Sequence, residues 1–202
     1  PQTIIYYVTD EIQQSQYINM FREQGMNAVI LKHNIDSAFI THIEREKEKE
    51  NIHFQRIDAD VTNDFKEEVS ADELKDETDA LTALFRKALG KDKLEVKVEK
   101  LKNENISSMV TLSEESRRMQ DMMKMYGMAG MDPSMFGSTE TLVLNANNKL
   151  VQYIFEHKDS ENVPMFCEQL YDLALLSHKP LNPDEMTKFI ARSNEILMLL
   201  AK

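Results

Sequence analysis

The chain has 202 residues, of which 42% are hydrophobic and 29% charged, and its formal net charge at pH 7 is −11. This composition is typical of a globular protein, and the length allows one large domain or two small ones. The negative charge argues against nucleic acid or an anionic membrane as a partner. The sequence also has no run of about eighteen apolar residues, which a transmembrane helix would need. The single cysteine, Cys167, excludes an internal disulfide and favours a cytoplasmic location. Because the chain starts at Pro1 without an initiator methionine or a signal-type segment, we expect an excised fragment.

The first part of the chain predicts three strands separated by two helices. The apolar runs at 4–8 and 28–31 are typical of parallel strands that are buried on both faces, and 52–57 can form a third strand. Strands that alternate with helices imply a small three-stranded parallel α/β sheet subdomain, which we place at residues 1–58.

The two helices of this subdomain have recognisable ends. Thr9-Asp10 can cap the first helix, and Gly25 can end it. The second helix is predicted to begin at about Asp36. Its inward-facing side chains are predicted to be Phe39, Ile40 and Ile43.

A strongly acidic stretch follows the subdomain. Residues 58–79 contain ten acidic residues and only two lysines, Lys66 and Lys75. A carboxylate cage for a metal is one interpretation, but EF-hand spacing with its central glycine is missing. Blocks of like charge are usually solvated, so we predict an acidic helical connector at residues 59–80.

The remainder, residues 81–202, predicts an α+β domain. A helix from about 72 to 89 leads to a strictly alternating, half-exposed strand at 94–101. Further strands are predicted at 108–112 and 141–144. Three final helices are predicted at about 148–157, at about 161–177, and from about 183 to the end.

A methionine-rich segment lies between the last two of these strands. Seven of the thirteen methionines of the chain fall between Met119 and Met135. Ser113 is a natural helix N-cap, and Gly127, Gly130 and Asp132-Pro133 would end the helix. Gap-filling in a core is one interpretation of the methionines, but a flexible, polarizable surface suits adaptable binding of apolar partners. We therefore predict an exposed binding helix, whose contact residues are Met119, Met122, Met123, Met125, Tyr126 and Met128.

The last two helices carry apolar stripes. The final helix starts with a capping box at Asn182, Pro183 and Glu185, and it ends in a run, 196–201, that is apolar on every side. One interpretation is that this helix closes its own domain. We favour a homodimer with an antiparallel four-helix seam, because large exposed apolar patches mark interaction sites. The predicted interface residues are Phe166, Leu170, Leu173, Phe189, Ile190, Ile196, Leu197 and Leu200.

Signatures of catalysis are missing from the sequence. The glycines do not form a phosphate-binding loop, and the histidines do not fall at metal-ligand spacing. Asp10 after the first strand is better explained by helix capping than by phosphoacceptor chemistry. Cys167 on an apolar helix face is better explained as a small hydrophobe than as a nucleophile. We therefore predict no enzymatic activity, no metal and no cofactor for this chain.

Four motifs together carry a family resemblance: Ile-Tyr-Tyr-Val-Thr-Asp-Glu at 5–11, Gly-Met-Asn-Ala-Val-Ile-Leu at 25–31 with Ile35-Asp36, the segment 113–125, and Glu-Thr-Leu-Val-Leu-Asn at 140–145 with Leu150-Val151. They resemble the ninety-kilodalton heat-shock chaperones, and the segment 113–125 resembles the protruding helix of that family in the methionine-rich form of its bacterial members (high-temperature protein G). The resemblance covers nearly the whole chain, from the end of the middle domain through the C-terminal dimerisation domain. Where the family often has Asn-Pro-x-His, this chain has Asn-Ala-Asn-Asn at 145–148, so the helix cap there is expected to differ.

The resemblance implies a homodimeric, ATP-dependent chaperone of which this chain is one part. ATP and Mg²⁺ would bind upstream of Pro1, and the methionine-rich helix would contact unfolded or partly folded client proteins. Co-chaperones are further partners of such a family. The chain ends at 201–202 without the acidic pentapeptide of eukaryotic cytosolic members, which fits a bacterial origin.

An alternative from another class is a stand-alone dimeric regulatory protein. Its parallel sheet would sense a small ligand beyond the carboxyl ends of the strands. The residues expected there are Thr9-Asp10 and Lys32-His33. A pocket and a ligand-dependent shift in melting temperature would distinguish this alternative from a chaperone fragment.

Overall fold

The computed structural model describes residues 1–33, 35–60, 63–128, 131 and 140–201, with the backbone only at Lys124. The chain forms two compact units, which we call unit 1 (Pro1–Asp64 and Thr111–Glu140) and unit 2 (Phe65–Val110 and Thr141–Lys202). The segment that contains the methionine-rich helix therefore belongs to unit 1. The three domains predicted from the sequence, 1–58, 59–80 and 81–202, stay a prediction.

Unit 1 contains the predicted three-stranded parallel sheet. Its strands are β1 (Thr3–Val8), β2 (Val29–Ile30) and β3 (Ile52–Arg56), in the order β2-β1-β3, and both pairings are parallel. The positions of the central strand and the third strand confirm the prediction, but Ile4 of the central strand is exposed, so the prediction of burial on both faces is wrong at its start. The prediction that 28–31 is buried is wrong, since Val29 and Ile30 are exposed. The reason is that β2 is a two-residue edge strand, whereas a strand buried on both faces normally has neighbours on both sides.

Helix α1 (Ser15–Glu23) begins later than the sequence suggested. The carboxylate of Asp10 accepts hydrogen bonds from the backbone N–H groups of Ile12 and Gln13, so it caps a turn that precedes the helix. The predicted end at Gly25 is confirmed. Gly25 has a φ of +64° and donates its N–H to Arg22, which is the left-handed helix ending that glycine favours.

Helix α2 (Asp36–Glu46) begins at the predicted residue. Ile40 is buried in the core of unit 1 with Tyr7 of β1 and Phe54 of β3, and Ile43 packs against this cluster. The prediction that Phe39 faces inward is wrong, because its ring is exposed. Consecutive residues of an α-helix lie about 100° apart, so the face that buries Ile40 turns Phe39 toward solvent.

The acidic stretch is less helical than predicted. A short 3₁₀ helix covers Asn63–Phe65, and α3 (Lys75–Leu89) starts inside the stretch. Most of its carboxylates are exposed, but Asp58 is only 1% exposed. The expectation of a solvated side chain is therefore wrong for Asp58, because two arginines in unit 1 compensate its buried charge.

Unit 2 combines a second sheet with four helices. The strands are β4 (Glu95–Glu99), β5 (Ser108–Thr111) and β6 (Thr141–Asn145), in the order β4-β6-β5, with β4 parallel to β6. The helices are α3, α5 (Lys149–Glu156), α6 (Val163–Leu176) and α7 (Pro183–Leu200). These elements surround one apolar core, to which α3, β6, α5 and α6 contribute most of the buried side chains.

The asparagines after β6 replace the family pattern with a hydrogen-bonded turn. Asn148 accepts hydrogen bonds from the N–H groups of Leu150 and Val151, so it caps α5. Asn145 is completely buried, and its amide bonds backbone groups of four other residues. These are Leu101, Asn103, Ile106 and Asn147. Asn148 is thus the helix cap of α5 in this chain.

Candidate functional site

The methionine-rich helix, α4 (Glu114–Met125), has the predicted ends. The Ser113 hydroxyl accepts a hydrogen bond from the Ser116 N–H, 3.2 Å away, as an N-cap does. Gly127 has a φ of +71°, and the Met128 N–H donates to the Met123 carbonyl over 2.9 Å. The predicted stop signals Gly130 and Asp132-Pro133, and also Met135, lie outside the described residues.

The face of α4 that is anchored to the sheet of unit 1 is charged. Glu114, Arg117, Arg118 and Asp121 stand at i, i+3, i+4 and i+7, so they form one stripe along the first two turns. Each of them bonds or pairs with a side chain or backbone group of the α/β part of unit 1. Amphipathic helices usually bury their apolar face, whereas α4 is attached to the sheet through charged side chains.

Asp58 is the centre of the first ion cluster. It lies just beyond β3, and its carboxylate accepts hydrogen bonds from Nε and Nη2 of Arg56 at 2.7 and 2.9 Å. Nη2 of Arg117 lies 3.1 Å from Oδ2 and 3.1 Å from the backbone oxygen of the same aspartate. Arg117 is also only 1% exposed. A carboxylate can be buried at such a place because paired charges offset the cost of desolvation.

Glu114 forms the second cluster at the start of α4. Its carboxylate accepts hydrogen bonds from the Tyr7 hydroxyl at 2.7 Å, the Arg56 backbone N–H at 2.8 Å, and Nε of Arg118 at 3.0 Å. Arg118 also donates to Glu44 of α2 at 2.6 and 2.9 Å, in a bidentate pair. The helix therefore reaches β1, β3 and α2 through one glutamate and one arginine.

Two pKa values follow from this network. Burial, and then the negative charge of Glu114, raise the pKa of Tyr7 well above its ordinary value, so the hydroxyl remains a donor. Burial alone would raise the pKa of Glu44, but the hydrogen bonds from Arg118 and from the Phe54 N–H outweigh it and lower the pKa. Glu44 is therefore held in its ionised form, which is the form that pairs with Arg118.

The predicted contact residues of α4 separate into exposed and buried ones. Met122 and Tyr126 are 54% and 70% exposed, and Met125 and Met128 are exposed as well. Met119 is half-buried. The expectation that all six face solvent is wrong for Met123, which is only 9% exposed, because it points about 100° away from its exposed neighbour Met122. We call Met119, Met122, Met125, Tyr126 and Met128 the methionine surface.

Sequence reasoning missed the charged anchor of α4. The helical spacing of its four charged residues was visible in the sequence, but it also fits an ordinary solvated face. Arg56 lies on the predicted third strand and Asp58 at the start of the acidic stretch. Nothing in the sequence indicates that either residue contacts α4. Only the tertiary contacts identify these residues.

The C-terminal helices form a pair in unit 2. Arg192 of α7 contacts Glu168 at 3.2 Å and Asp172 at 2.8 Å on α6. Gln169 donates a hydrogen bond to the Ser193 hydroxyl over 3.1 Å. The predicted capping box at the start of α7 is confirmed.

The predicted interface residues of these helices also differ in exposure. Leu170 is buried in the core of unit 2, so the expectation that it meets a partner is wrong. Phe166 and Phe189 are half-buried against the same core, and Ile196 is half-buried. The exposed members are Leu173, Ile190, Leu197 and Leu200, the last two at 62% and 81%. We call these four residues the terminal apolar surface.

Cys167 has the environment of a structural residue. Its side chain is completely buried on α6, and it belongs to the core of unit 2. Burial raises the pKa of its thiol to about 12, so almost no thiolate is present at neutral pH. This supports its interpretation as a small hydrophobe.

Two places in unit 1 bear on the ligand-sensing alternative. A cavity of about 330 Å³ lies beside α1, where Glu11 forms an ion pair with Lys32, and its lining includes Val8, Arg22 and Ile30. The second place is the crevice between the carboxyl ends of β1 and β3, where the sheet order β2-β1-β3 reverses and doubly wound folds bind ligands. Arg117 contacts Asp58 at that edge of the sheet.

Metal-ligand clusters and membrane-spanning helices are both absent from the part of the chain that the structure describes. Three or more histidine, cysteine or carboxylate side chains do not converge there on a possible metal position. Within the same ranges, every helix is too short or too polar to cross a membrane.

Comparison with known proteins assigns the family. The family model described as Hsp90 protein matches residues 1–201, so the chain belongs to the Hsp90 protein family. It is 32% identical to the chaperone protein HtpG of Bacteroides fragilis over 167 residues, which cover 78% of this chain and 24% of that protein. Identity to the HtpG of Porphyromonas gingivalis is 28%, over 83% of this chain and 25% of the relative. Identity to the HtpG of Shewanella amazonensis is 26%, over 96% of this chain and 31% of the relative.

The resemblance stated from the motifs is thereby confirmed. The chain spans about a quarter to a third of the length of these relatives.

Proposed function

We propose that this chain is the dimerising and client-contacting part of a chaperone. The family assignment supports the chaperone role, and the observation that carries the client-contacting role is the methionine surface of α4. We further propose that the whole protein works in the cytoplasm as an ATP- and Mg²⁺-dependent chaperone, with its nucleotide site outside this chain. Co-chaperones are possible additional partners in that setting.

The methionine surface suits the binding of unfolded polypeptide. Its side chains are unbranched and polarizable, so they can adapt to apolar residues in many arrangements. The charged anchor holds the first two turns of α4, and Met122 and Tyr126 farther along the chain stay accessible. A client would therefore bind by burying apolar area, at a helix that is already folded.

The terminal apolar surface suits a second copy of this chain. α7 is apolar over an arc that is wider than the part in contact with α6, because Ile190, Leu197 and Leu200 remain exposed while Phe189 packs inward. Two α6–α7 pairs can bury these leucines and isoleucines against one another as an antiparallel four-helix seam. A stable seam of this kind buries on the order of 1,200 to 2,000 Å² in total.

The client role can be tested with a double variant, Met122→Ser and Tyr126→Ser. Each side chain that a client buries contributes roughly 1.5–3 kcal/mol, so the loss of two should weaken binding by about tenfold or more. Affinity is measured by fluorescence anisotropy with a labelled, permanently unfolded polypeptide rich in apolar residues. Ile12→Ser removes a still more exposed apolar side chain elsewhere in unit 1 and should leave binding unchanged. Equal affinity of the double variant and the unaltered protein would refute the role.

The dimer can be tested with Ile190→Asp and Leu197→Asp. Each aspartate would place an unpaired charge in the seam, so we expect the sedimentation coefficient to shift toward that of a monomer. Leu150→Asp is a matched control, because Leu150 is exposed on α5 of the same unit. Dimer mass that persists in both α7 variants would rule out this seam.

A second candidate function, the sensing of a small ligand by unit 1, is favoured only by the cavity beside α1. A ligand that raises the melting temperature of unit 1 without unfolded polypeptide present would support it.

A further inference from the structure

A side chain of α4 reaches the carboxyl edge of the unit 1 sheet. Ile57 donates its N–H to the Tyr7 carbonyl, so the ends of β3 and β1 lie side by side. Asp58 follows directly, at the point where the sheet order reverses. Arg117 contacts both the carboxylate and the backbone oxygen of Asp58 there. Doubly wound folds bind ligands in a crevice at this position, and we call it the switch-point crevice.

The contact of Arg117 can be separated from the neutralisation of Asp58. Arg56 pairs with Asp58 through two hydrogen bonds of 2.7 and 2.9 Å, and both of these residues belong to the sheet edge. If Arg117 loses its charge, Asp58 keeps a bidentate partner, and the sheet edge keeps its compensated charge. What is lost is one fixed point between α4 and the sheet.

The other fixed points lie on the same stripe of α4. Glu114 bonds the Tyr7 hydroxyl and the Arg56 N–H, and Arg118 bonds Glu44 and the Phe54 carbonyl. Both residues are more exposed than Arg117, which is the only member of the stripe buried to 1%. Arg117 is therefore the most deeply buried of these fixed points, and its two contacts with Asp58 hold it in one position.

We propose that Arg117, supported by Glu114 and Arg118, is a positioning residue that clasps α4 to the switch-point crevice and so holds the methionine surface outward. This inference rests on the proposed client role of that surface. When the clasp is open, α4 leaves the sheet, and Met123 loses its packing together with the charged stripe. A client must then order the helix as it binds, which lowers its affinity.

The test compares Arg117→Gln with Arg45→Gln in the full chain. Arg45 lies on the exposed side of α2 in the same unit, so its replacement makes the same change of charge without touching α4. Hydrogen exchange is measured for the amides of α4 and, as an internal reference, for those of β1 and β3. We expect α4 amides to exchange at least tenfold faster in Arg117→Gln, with β1 and β3 unchanged, and no change in Arg45→Gln. Arg117→Lys, which keeps the charge, should restore part of the protection.

Two outcomes would overturn the clasp. One is unchanged exchange of α4 in Arg117→Gln, and the other is an equal increase in α4, β1 and β3, which would mean that Arg117 supports unit 1 as a whole. The client role is judged on the separate variant with Met122→Ser and Tyr126→Ser. If that variant binds unfolded polypeptide normally while α4 still responds to Arg117→Gln, the client role fails and the clasp stands. If both hold, Arg117→Gln should also weaken the binding of the unfolded polypeptide.

Discussion

Helices α4 and α7 both expose apolar side chains, but they are attached to their units in opposite ways. α4 is anchored by a charged stripe and exposes methionines, with Met123 as its one buried methionine. α7 packs Met186 and Phe189 against the core of unit 2 and exposes isoleucine and leucine. Its ion pairs run from Arg192 to α6.

Under the proposed functions, the difference corresponds to two kinds of binding surface. Hydrogen-bonded ion pairs in the first two turns fix the orientation of α4, so apolar side chains farther along can stay exposed without a permanent partner. A helix that is held by apolar packing, with further leucines beside the packed ones, has the character of half an interface. The comparison therefore favours a transient partner at α4 and a permanent one at α7. Three experiments test this difference.

The largest effect is expected from Asp58→Asn. The substitution leaves Arg56 and Arg117 without their buried counter-charge, which should destabilise unit 1 by roughly 3–5 kcal/mol. In unit 2, Arg192→Gln should cost less, about 1–3 kcal/mol, because it leaves the nearly buried Asp172 without its cation, whereas the Glu168 carboxylate is exposed to water. Denaturant-dependent hydrogen exchange gives the two values separately. Asp60→Asn is the exposed control, and equal costs for Asp58→Asn and Arg192→Gln would remove the contrast between the helices.

A smaller effect should separate the two neighbouring methionines of α4. Met123→Ala removes a buried side chain and should cost about 2–3 kcal/mol of the stability of unit 1, whereas Met122→Ala at an exposed position should stay within about 0.5 kcal/mol. Thermal and urea unfolding measure both. Similar losses for the two variants would mean that the helix is buried on both sides, and the methionine surface would then be part of a core.

The smallest effect is expected from pH. The pKa of Glu44 is lowered in the folded protein, so its ionised form contributes stability that is complete above the ordinary glutamate pKa of about 4.3 and is lost as the pH falls through the lower folded value. Exchange of the α4 amides, corrected for the intrinsic pH dependence, should therefore accelerate below about pH 4. The charged groups that face Glu44 are Arg118 and His53, with Glu114 on the far side of Arg118. Glu44→Gln should reduce this acid step, and an identical step in that variant would assign it to other carboxylates.

Much of the fold could be predicted from local patterns. Some features depend mainly on residues that are neighbours in sequence, and the structure contains them. They are the parallel strands at both ends of the first subdomain, the glycine at the end of α1 and the capping box of α7. Several of the failures, in contrast, concern which side of an element is buried. Phe39 and Val29 were predicted to be inside because they are apolar, yet α2 buries a narrower face and β2 is an edge strand. Periodicity tells which residues share a face, but the rest of the chain decides how wide the covered part of that face is.

The sequence by itself determined the order of the elements, the ends of α4 and α7, and the family, because caps, turns and motifs are read from residues that stand close together. The tertiary structure alone decided that α4 is held by its charges and that Met123 is buried while Met122 is not. The reason is distance along the chain, since Arg117 meets Asp58 across 59 positions and Arg118 meets Glu44 across 74. A charged stripe on a helix is the same pattern whether it faces water or buried carboxylates, and only the folded chain brings those carboxylates to it.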